Sequence, residues 1–233
     1  MALLLAIETS GASGDIALLR HGEIVGRRRL LLARRHNEEL LGHVQALLSA
    51  VGAGVGQLDA VAYGSGPGSF TGVRLAAAAT VAMAWAHGLP VFAIGSAEAL
   101  AHKAWLRVGS PPEYALEVRV VLDARVQQVY DTTVRMDVLG AVQAGPTRLL
   151  GWPRLAALAQ PAPGFIAIGD AWSDARMPAA LLQAAGVVLA NESPEAPDVG
   201  ALAWRRWIAG ERPAAGAELP GYIRGADAWA ARA

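Results

Sequence analysis

A glycine-rich stretch, GSGPGSFTGVR at positions 64–74, is the part of this sequence best suited to bind a ligand. It lies between a short apolar run and a long one, which predicts a strand, a tight turn and a helix in that order. Glycine permits backbone angles that side chains forbid, and unpaired amides at the start of a helix favour negative charge. The candidate anion-binding residues are Ser65, Gly66, Gly68, Ser69, Thr71 and Gly72. The alternative is a structural turn that only packs the helix against a sheet, with Ser69 or Thr71 as the helix cap.

The turn differs from the two common phosphate-binding motifs. A Walker loop needs a lysine directly after its glycines, whereas the only lysine in this chain is Lys103. A Rossmann turn needs a glycine spacing that Pro67 and Ser69 interrupt. Neither motif therefore assigns a nucleotide to this turn.

The other reactive side chains do not form a catalytic set. The chain has no cysteine, which excludes a thiol nucleophile and a thiolate metal site. No two histidines are four residues apart, as a metal-binding pair on a helix requires. His36 and His43 share a helical face with Glu39 between them, but their spacing does not suit a metal. We therefore predict no catalytic residue, no metal site and no cofactor of the chain's own.

The elements that position the turn follow from the apolar pattern. Three consecutive strands, most simply an antiparallel meander, are predicted at 2–7, 16–19 and 23–32, with a hairpin turn at His21-Gly22. A helix at 36–51, a strand at 60–63, a helix at 71–86, a strand at 90–94 and a helix at 96–106 complete a first lobe over 1–107.

A second, smaller lobe is predicted over 108–233. Strands are expected at 116–122, 128–135 and 165–168, separated by a segment rich in proline and glycine. A helix is predicted at 197–209 and an extended tail at 219–225, and the chain after 196 is expected to pack back on the first lobe.

Two helices of the first lobe carry candidate partner-binding surface. Between Leu75 and Ala86 the only polar residue is Thr80, so this helix is apolar on every face and one sheet cannot cover all of it. The helix at 36–51 has a stripe of small and polar-aromatic side chains beside its apolar face. The predicted partner interface comprises His36, Glu39, His43, Ala46, Arg74, Leu75, Ala78, Ala79, Ala82 and Trp85. The alternative is a helix buried between the sheet and the neighbouring helix.

Composition and charge restrict the class of partner. The chain is 54% hydrophobic and 17% charged with a net charge of zero, so it is globular and has no overall attraction to nucleic acid or membrane. The densest basic run, arginines 27, 28, 29, 34 and 35, is split between opposite sides of a strand, so a solvated basic face is favoured over a tRNA-binding one. The N-terminus lacks a basic leader and no apolar run is long enough to span a bilayer, which predicts a cytoplasmic protein.

Five segments resemble the TsaB family, also called YeaZ, in order and spacing. They are LLLAIETS at 3–10, RRHNEELLGHVQALL at 34–48, LDAVAYGSGPGSFTGVR at 58–74, LDARVQQVY at 122–130 and LPGYIR at 219–224. The resemblance covers nearly the whole chain, and its GPGSFTG core is the most specific part. In place of Gln127 and Gln128 the family commonly has Gly-Glu, which leaves any role of that acid in doubt here.

The resemblance implies an α/β fold of the ASKHA type, the actin, sugar-kinase and Hsp70 architecture, with two lobes built on ribonuclease H-like mixed sheets. It further implies a non-catalytic paralogue of TsaD, the transferase that adds a threonylcarbamoyl group to the adenosine beside the anticodon of tRNA. A TsaD-like transferase would bind the helices of the first lobe, and a TsaE-like ATPase would join the pair. ATP and a metal would belong to these partner subunits, tRNA would be met only through the complex, and the isolated chain could form a homodimer through the same helices.

The alternative function is an independent ATP-dependent phosphotransferase of the same fold acting on a small molecule. Three sequence features disfavour it. Glu8 stands where most relatives have aspartate, Asp123-Ala124-Arg125 lacks the flanking glycines of a second phosphate loop, and Gly169-Asp170-Ala171 has an alanine where a second glycine would help. Asp123 and Arg125 are instead expected to brace the second lobe.

Overall fold

The computed structural model describes residues 2–11, 13–30, 36–109, 115–158, 163–217 and 220, and for 36–39 it describes the backbone alone. Within these residues the chain forms two compact units. The first contains the residues up to Ala99 and those from Pro194 onward, and the second contains Leu100–Ser193. The sequence predicted the boundary between the lobes after residue 107. The two units divide between Ala99 and Leu100, within the helix that ends at residue 107. The extent of the lobes stays a prediction.

The first unit is a five-stranded mixed sheet in the order β3-β2-β1-β4-β5. The strands are β1 (Leu3–Glu8), β2 (Gly14–Arg20), β3 (Glu23–Leu30), β4 (Ala60–Gly64) and β5 (Val91–Ile94). The first three form the predicted antiparallel meander, and β4 and β5 extend it in parallel with β1. Residues 31–35, which hold the predicted end of the third strand and two arginines of the basic run, lie outside the described residues.

Helices cover both faces of this sheet. Those that pack on it are α1 (His36–Ala50), α2 (Phe70–His87) and α6 (Ala196–Ile208), and α3 (Ser96–Arg107) follows β5 in the chain. On one face Leu5, Ile7 and Leu18 pack with apolar side chains of α1 and α2. On the other face α6 packs against β1, β2, β4 and β5. Gly200 permits this approach, because a Cβ there would lie 2.3 Å from a methyl carbon of Leu19.

The second unit is built on a mixed sheet in the order β11-β10-β6-β7-β8, with β9 paired to β7. Its elements are β6 (Leu116–Arg125), β7 (Gln128–Met136), β8 (Val142–Ala144), β9 (Arg148–Gly151), α4 (Trp152–Ala157), β10 (Phe165–Gly169), α5 (Ala179–Ala184) and β11 (Ala185–Ala190). Val121, Val129 and Phe165 from the sheet pack with Trp152 and Trp172 in its core.

Most predicted elements are present, and the differences lie in the second unit. The strands β8, β9 and β11 and the helices α4 and α5 were not predicted. Each is six residues or shorter, and the three strands are set by pairing with β7 or β10. The predicted extended tail at 219–225 lies, apart from residue 220, outside the described residues.

Candidate functional site

The glycine-rich turn joins β4 to α2, and the backbone amides of Ser65, Ser69 and Gly72 are bonded within the protein. The amide of Ser65 donates to the carbonyl of Ile94 at 2.8 Å, and the amide of Ser69 donates to the carbonyl of Ser10 at 2.8 Å. The Ser69 hydroxyl caps α2 by accepting from the amide of Gly72 at 3.4 Å. The carbonyl of Gly66 accepts from the amide of Ser96 at 2.8 Å. An anion at this turn would have to displace these bonds, and the anion site stays a prediction.

The glycines of the turn let the first loop of the chain approach closely. A Cβ at Gly72 would lie 1.8 Å from the backbone oxygen of Thr9, and one at Gly68 would lie 2.6 Å from that of Ser10. The Thr9 hydroxyl donates to the carbonyl of Gly72 at 2.6 Å. The turn therefore holds the end of β1 against the N-terminus of α2.

Glu8 is the buried ionisable group of this junction. Its carboxylate accepts from the amide of Ser10 at 2.5 Å through Oε1, while Oε2 is buried without a hydrogen-bond partner. A Cβ at Gly64 would lie 1.7 Å from Oε2, so glycine is what makes room for the carboxyl group. Burial raises the pKa of Glu8 to about 7, the hydrogen bonds to Ser10 oppose that rise, and the charge of Asp15 adds to it. The Glu8 carboxyl group is therefore fully buried and bonded to the chain's own backbone.

A groove of about 570 Å³ runs between α1 and the N-terminal half of α2. Five of the predicted interface residues line it, namely Arg74, Leu75, Ala78, Ala79 and Ala82. Leu40, Leu41, Phe70 and Thr71 complete its walls. Leu41 is 53% exposed and Phe70 is 49% exposed, and the guanidinium of Arg74 stacks on the Phe70 ring at 3.9 Å. The groove is therefore an accessible apolar surface with small residues along its floor.

The structure decides which face of α2 is buried. Val73, Ala76, Ala77, Thr80, Met83 and Ala84 face the interior. Thr80, the polar residue of this stretch, is fully buried, while Ala78, Ala82 and Trp85 are exposed. The sheet covers one side of the helix, and on the open side Ala78 and Ala82 are exposed to solvent next to Arg74.

The other predicted interface residues are less close together. Ala46 is exposed and His43 half-buried on α1, and neither lines the groove. The side chains of His36 and Glu39 lie outside the described residues. Trp85 lines a different groove at the C-terminal end of α2. The sequence did not identify Leu40, Leu41 and Phe70 as part of this groove. Leu41 carried one signal of it, because it is an apolar residue outside the buried stripe of α1.

Asp123 and Arg125 form a local pair at the tip of the β6–β7 hairpin. The amide of Arg125 donates to Asp123 Oδ1 at 2.9 Å, and its guanidinium meets Oδ2 at 3.1 Å. Asp170 Oδ1 accepts from the amide of Asp123 at 2.8 Å. Burial raises the pKa of Asp170, and the hydrogen bond from Asp123 opposes that rise. These contacts tie the hairpin to the end of β10 within the second unit.

Two arginines of the basic run, Arg27 and Arg29, are held by carboxylates. Arg27 bonds to Asp15 at 2.5 Å and contacts Glu195 at 3.0 Å, and Arg29 meets Glu195 at 2.5 Å. Arg27 and Arg29 share one side of β3, as strand alternation predicts. They anchor the start of α6 to the meander.

Neither a clustered metal site nor a membrane span was found in the described part of the chain. No three histidine, aspartate or glutamate side chains come together there as metal ligands would. No described helix is both long and apolar enough to cross a membrane. The cytoplasmic location stays a prediction.

Comparison with known proteins places these features in a family. A model of the TsaD family, tRNA N6-adenosine threonylcarbamoyltransferase, matches residues 30–164. The crystal structure of YeaZ from Pseudomonas aeruginosa superposes with a TM-score of 0.81 at 32% identity, covering 96% of this chain and 100% of that one. The chain belongs to the TsaB (YeaZ) family. The TsaB protein of Escherichia coli K12 is 29% identical over 231 residues, which is 97% of this chain and 96% of that protein. The TsaB protein of Haemophilus influenzae is 37% identical over 131 residues, 56% of this chain and 53% of that protein.

The same comparison identifies the fold. A ROK family protein from Streptococcus pneumoniae superposes with a TM-score of 0.50 at 13% identity, over 90% of this chain and 100% of that one. With two mixed-sheet units and this likeness, the TsaB-family chain has the ASKHA fold that the resemblance implied. The match to a transferase family model fits a divergent paralogue of that transferase.

Proposed function

We propose that this chain is a non-catalytic subunit in the biosynthesis of threonylcarbamoyladenosine in tRNA, and that its α1–α2 groove binds a TsaD-like transferase. The relatives from E. coli and H. influenzae are named as proteins of that biosynthesis. The observation that carries the proposal is the open apolar side of α2, whose Ala78 and Ala82 would let a partner helix approach closely.

The junction at Glu8 supports a non-catalytic role. The amides of Ser65 and Ser69 in the turn are bonded to carbonyls of the chain itself, and the nearby Glu8 carboxyl group accepts from the amide of Ser10. We therefore assign ATP and a metal to the partner subunits, including a TsaE-like ATPase. When no partner is present, the same groove would suit a homodimer.

Size-exclusion chromatography of the purified chain with its cognate TsaD tests the proposal. The two should co-elute, and Ala78→Arg or Ala82→Arg should weaken the complex about 100-fold or more, because each places an unpaired charge in a close-packed interface. Ala156→Arg is the matched control, since Ala156 is exposed on α4 of the second unit. Separate elution of the unmodified proteins, or equal loss by the control, would contradict the assignment.

Calorimetry of the isolated chain with Mg-ATP tests the phosphotransferase alternative. The subunit proposal expects no saturable binding at micromolar nucleotide. Tight binding of Mg-ATP, with turnover that Glu8→Gln abolishes, would favour the phosphotransferase.

A further inference from the structure

A second groove, of about 550 Å³, lies at the C-terminal end of α2. Trp85, Gly88 and Pro90 form one side, and Arg212 and Pro213 from the segment after α6 form the other. The amide of Val91 donates to the carbonyl of Pro213 at 3.0 Å, which fixes this segment against the edge of the first sheet. The groove is therefore built by two parts of the first unit that are held together by a backbone bond.

Two flat side chains line this groove. The indole of Trp85 is 77% exposed, a large exposure for the largest apolar side chain. Across from it, the guanidinium of Arg212 lies 3.4 Å from the centroid of the Trp207 ring. Its Nη1 donates to the carbonyls of Trp207 at 2.8 Å and of Glu211 at 2.6 Å, which holds the group in place.

Arg212 is also a cation whose charge is not neutralised by a carboxylate in the described part of the chain. Its neighbour Arg206 differs, because it meets Glu211 at 2.8 Å. Arg176 of the second unit is a close analogue, since it stacks on the Trp152 ring at 4.6 Å, but it is paired with Asp174. Among these three arginines, only Arg212 has a stacked guanidinium whose charge is not neutralised by a carboxylate that the structure describes. It is also the one that lines a groove with the exposed Trp85.

We propose that this groove binds an unstacked nucleobase of single-stranded RNA, which stacks on Trp85, with Arg212 contacting the adjoining phosphate. Aromatic and guanidinium planes are the surfaces on which proteins stack single-stranded bases, and a groove of this volume accommodates one nucleotide. One unneutralised arginine is too little charge to hold an acidic peptide, whereas an exposed indole with a single cation beside it suits a base and its adjoining phosphate. The open groove lacks the several phosphate donors that a free nucleotide needs, so a strand is favoured over a mononucleotide.

This assignment does not rest on the proposed transferase partner. It concerns a different groove and can be measured on the chain alone. It also separates Trp85 from the predicted partner interface, to which the sequence assigned it.

Fluorescence anisotropy of a labelled oligoadenylate RNA of about 12 nucleotides tests the assignment. Trp85→Ala should weaken binding about tenfold or more, because it removes the stacking plane, and Arg212→Ala should weaken it because it removes the cation that contacts the phosphate. Arg212→Lys keeps the charge but loses the planar fork of donors, so it should bind RNA more tightly than Arg212→Ala and more weakly than the unmodified chain. Arg176→Ala is the matched control and should bind RNA like the unmodified chain. Trp85 is exposed, so its removal should leave the unfolding temperature unchanged.

Three results would overturn the assignment. The first is no RNA binding, or equal binding by Trp85→Ala, Arg212→Ala and Arg176→Ala. The second is stronger competition by polyglutamate than by unlabelled RNA, which would make the groove a site for acidic proteins. The third is equal competition by AMP and by RNA at the same nucleotide concentration, which would make it a mononucleotide site. The titration should be repeated with Ala78→Arg, which blocks self-association through the α1–α2 groove and so keeps Trp85 accessible. RNA binding by this variant would show that the RNA site does not depend on the partner groove.

Discussion

Replacing Glu8 by glutamine should change how the stability of the protein depends on pH. Burial raises the pKa of Glu8 from 4.5 to about 7 in the folded chain. A group whose pKa is higher in the folded state binds more protons there, so the protein loses stability as pH rises between these two values. At 1.36 kcal/mol per pKa unit, the loss is about 3 kcal/mol by pH 7 and does not grow further above it.

Glu8→Gln removes this titration while keeping an oxygen that can accept from the amide of Ser10. Urea unfolding, followed by tryptophan fluorescence, should be measured for both proteins at about pH 4.5 and about pH 8. The free energy of unfolding of the variant relative to the unmodified chain should rise by about 3 kcal/mol between these pH values. Taking the difference cancels titrating groups that do not interact with Glu8, such as Asp170, whose pKa burial also raises.

Glu117→Gln is the control, because Glu117 is an exposed glutamate on β6. Its difference from the unmodified chain should be small at both pH values. A difference for Glu8→Gln that does not change with pH would refute the reasoning, since it would mean that the Glu8 carboxyl is not buried from water beside Gly64.

Two further predictions concern close packing and a buried ion pair. Gly72→Ala should destabilise the first unit by about 3 kcal/mol or more, because its Cβ would lie 1.8 Å from a backbone oxygen of the first loop. Gly42→Ala in α1 should instead stabilise by about 1 kcal/mol, since no atom lies within 4 Å of its Cβ, and thermal unfolding of the two variants should shift in opposite directions. Asp131→Ala should cost about 3 to 5 kcal/mol, because it leaves the buried guanidinium of Arg119 without its carboxylate at 2.9 Å. Arg148→Ala should cost about 1 kcal/mol or less in urea unfolding, because that side chain is 47% exposed, and an equal cost for both variants would contradict this account.

Much of the first unit could be predicted because its signals are local. The strands β1 and β4 are uninterrupted apolar runs, and α1 has an apolar stripe at helical spacing. The second unit was predicted less completely. The strand β11 has the apolar run Val187-Val188-Leu189, but it is a strand because it pairs in parallel with β10, which local sequence does not report.

The candidate site shows the same division. The sequence predicted a helix after the glycine-rich turn and a surface along Ala78 and Ala82. The sequence could not predict which face of that helix is buried, because a helix that is apolar on every face has no amphipathic pattern to indicate it. The one polar side chain, Thr80, would suggest solvent, yet it lies on the buried side against the sheet.

By itself, the sequence determined the family, the order of elements in the first unit and the absence of thiol chemistry. Those depend on residue types and on spacing within single elements. The tertiary structure decided that the amides of Ser65 and Ser69 in the turn are occupied, that Glu8 is buried against Gly64, and that residues 85 and 212 share a groove. Burial and hydrogen-bond satisfaction are set by neighbours far away in the chain, so only the folded molecule reveals which side of α2 stays open and which residues remain to bind a partner.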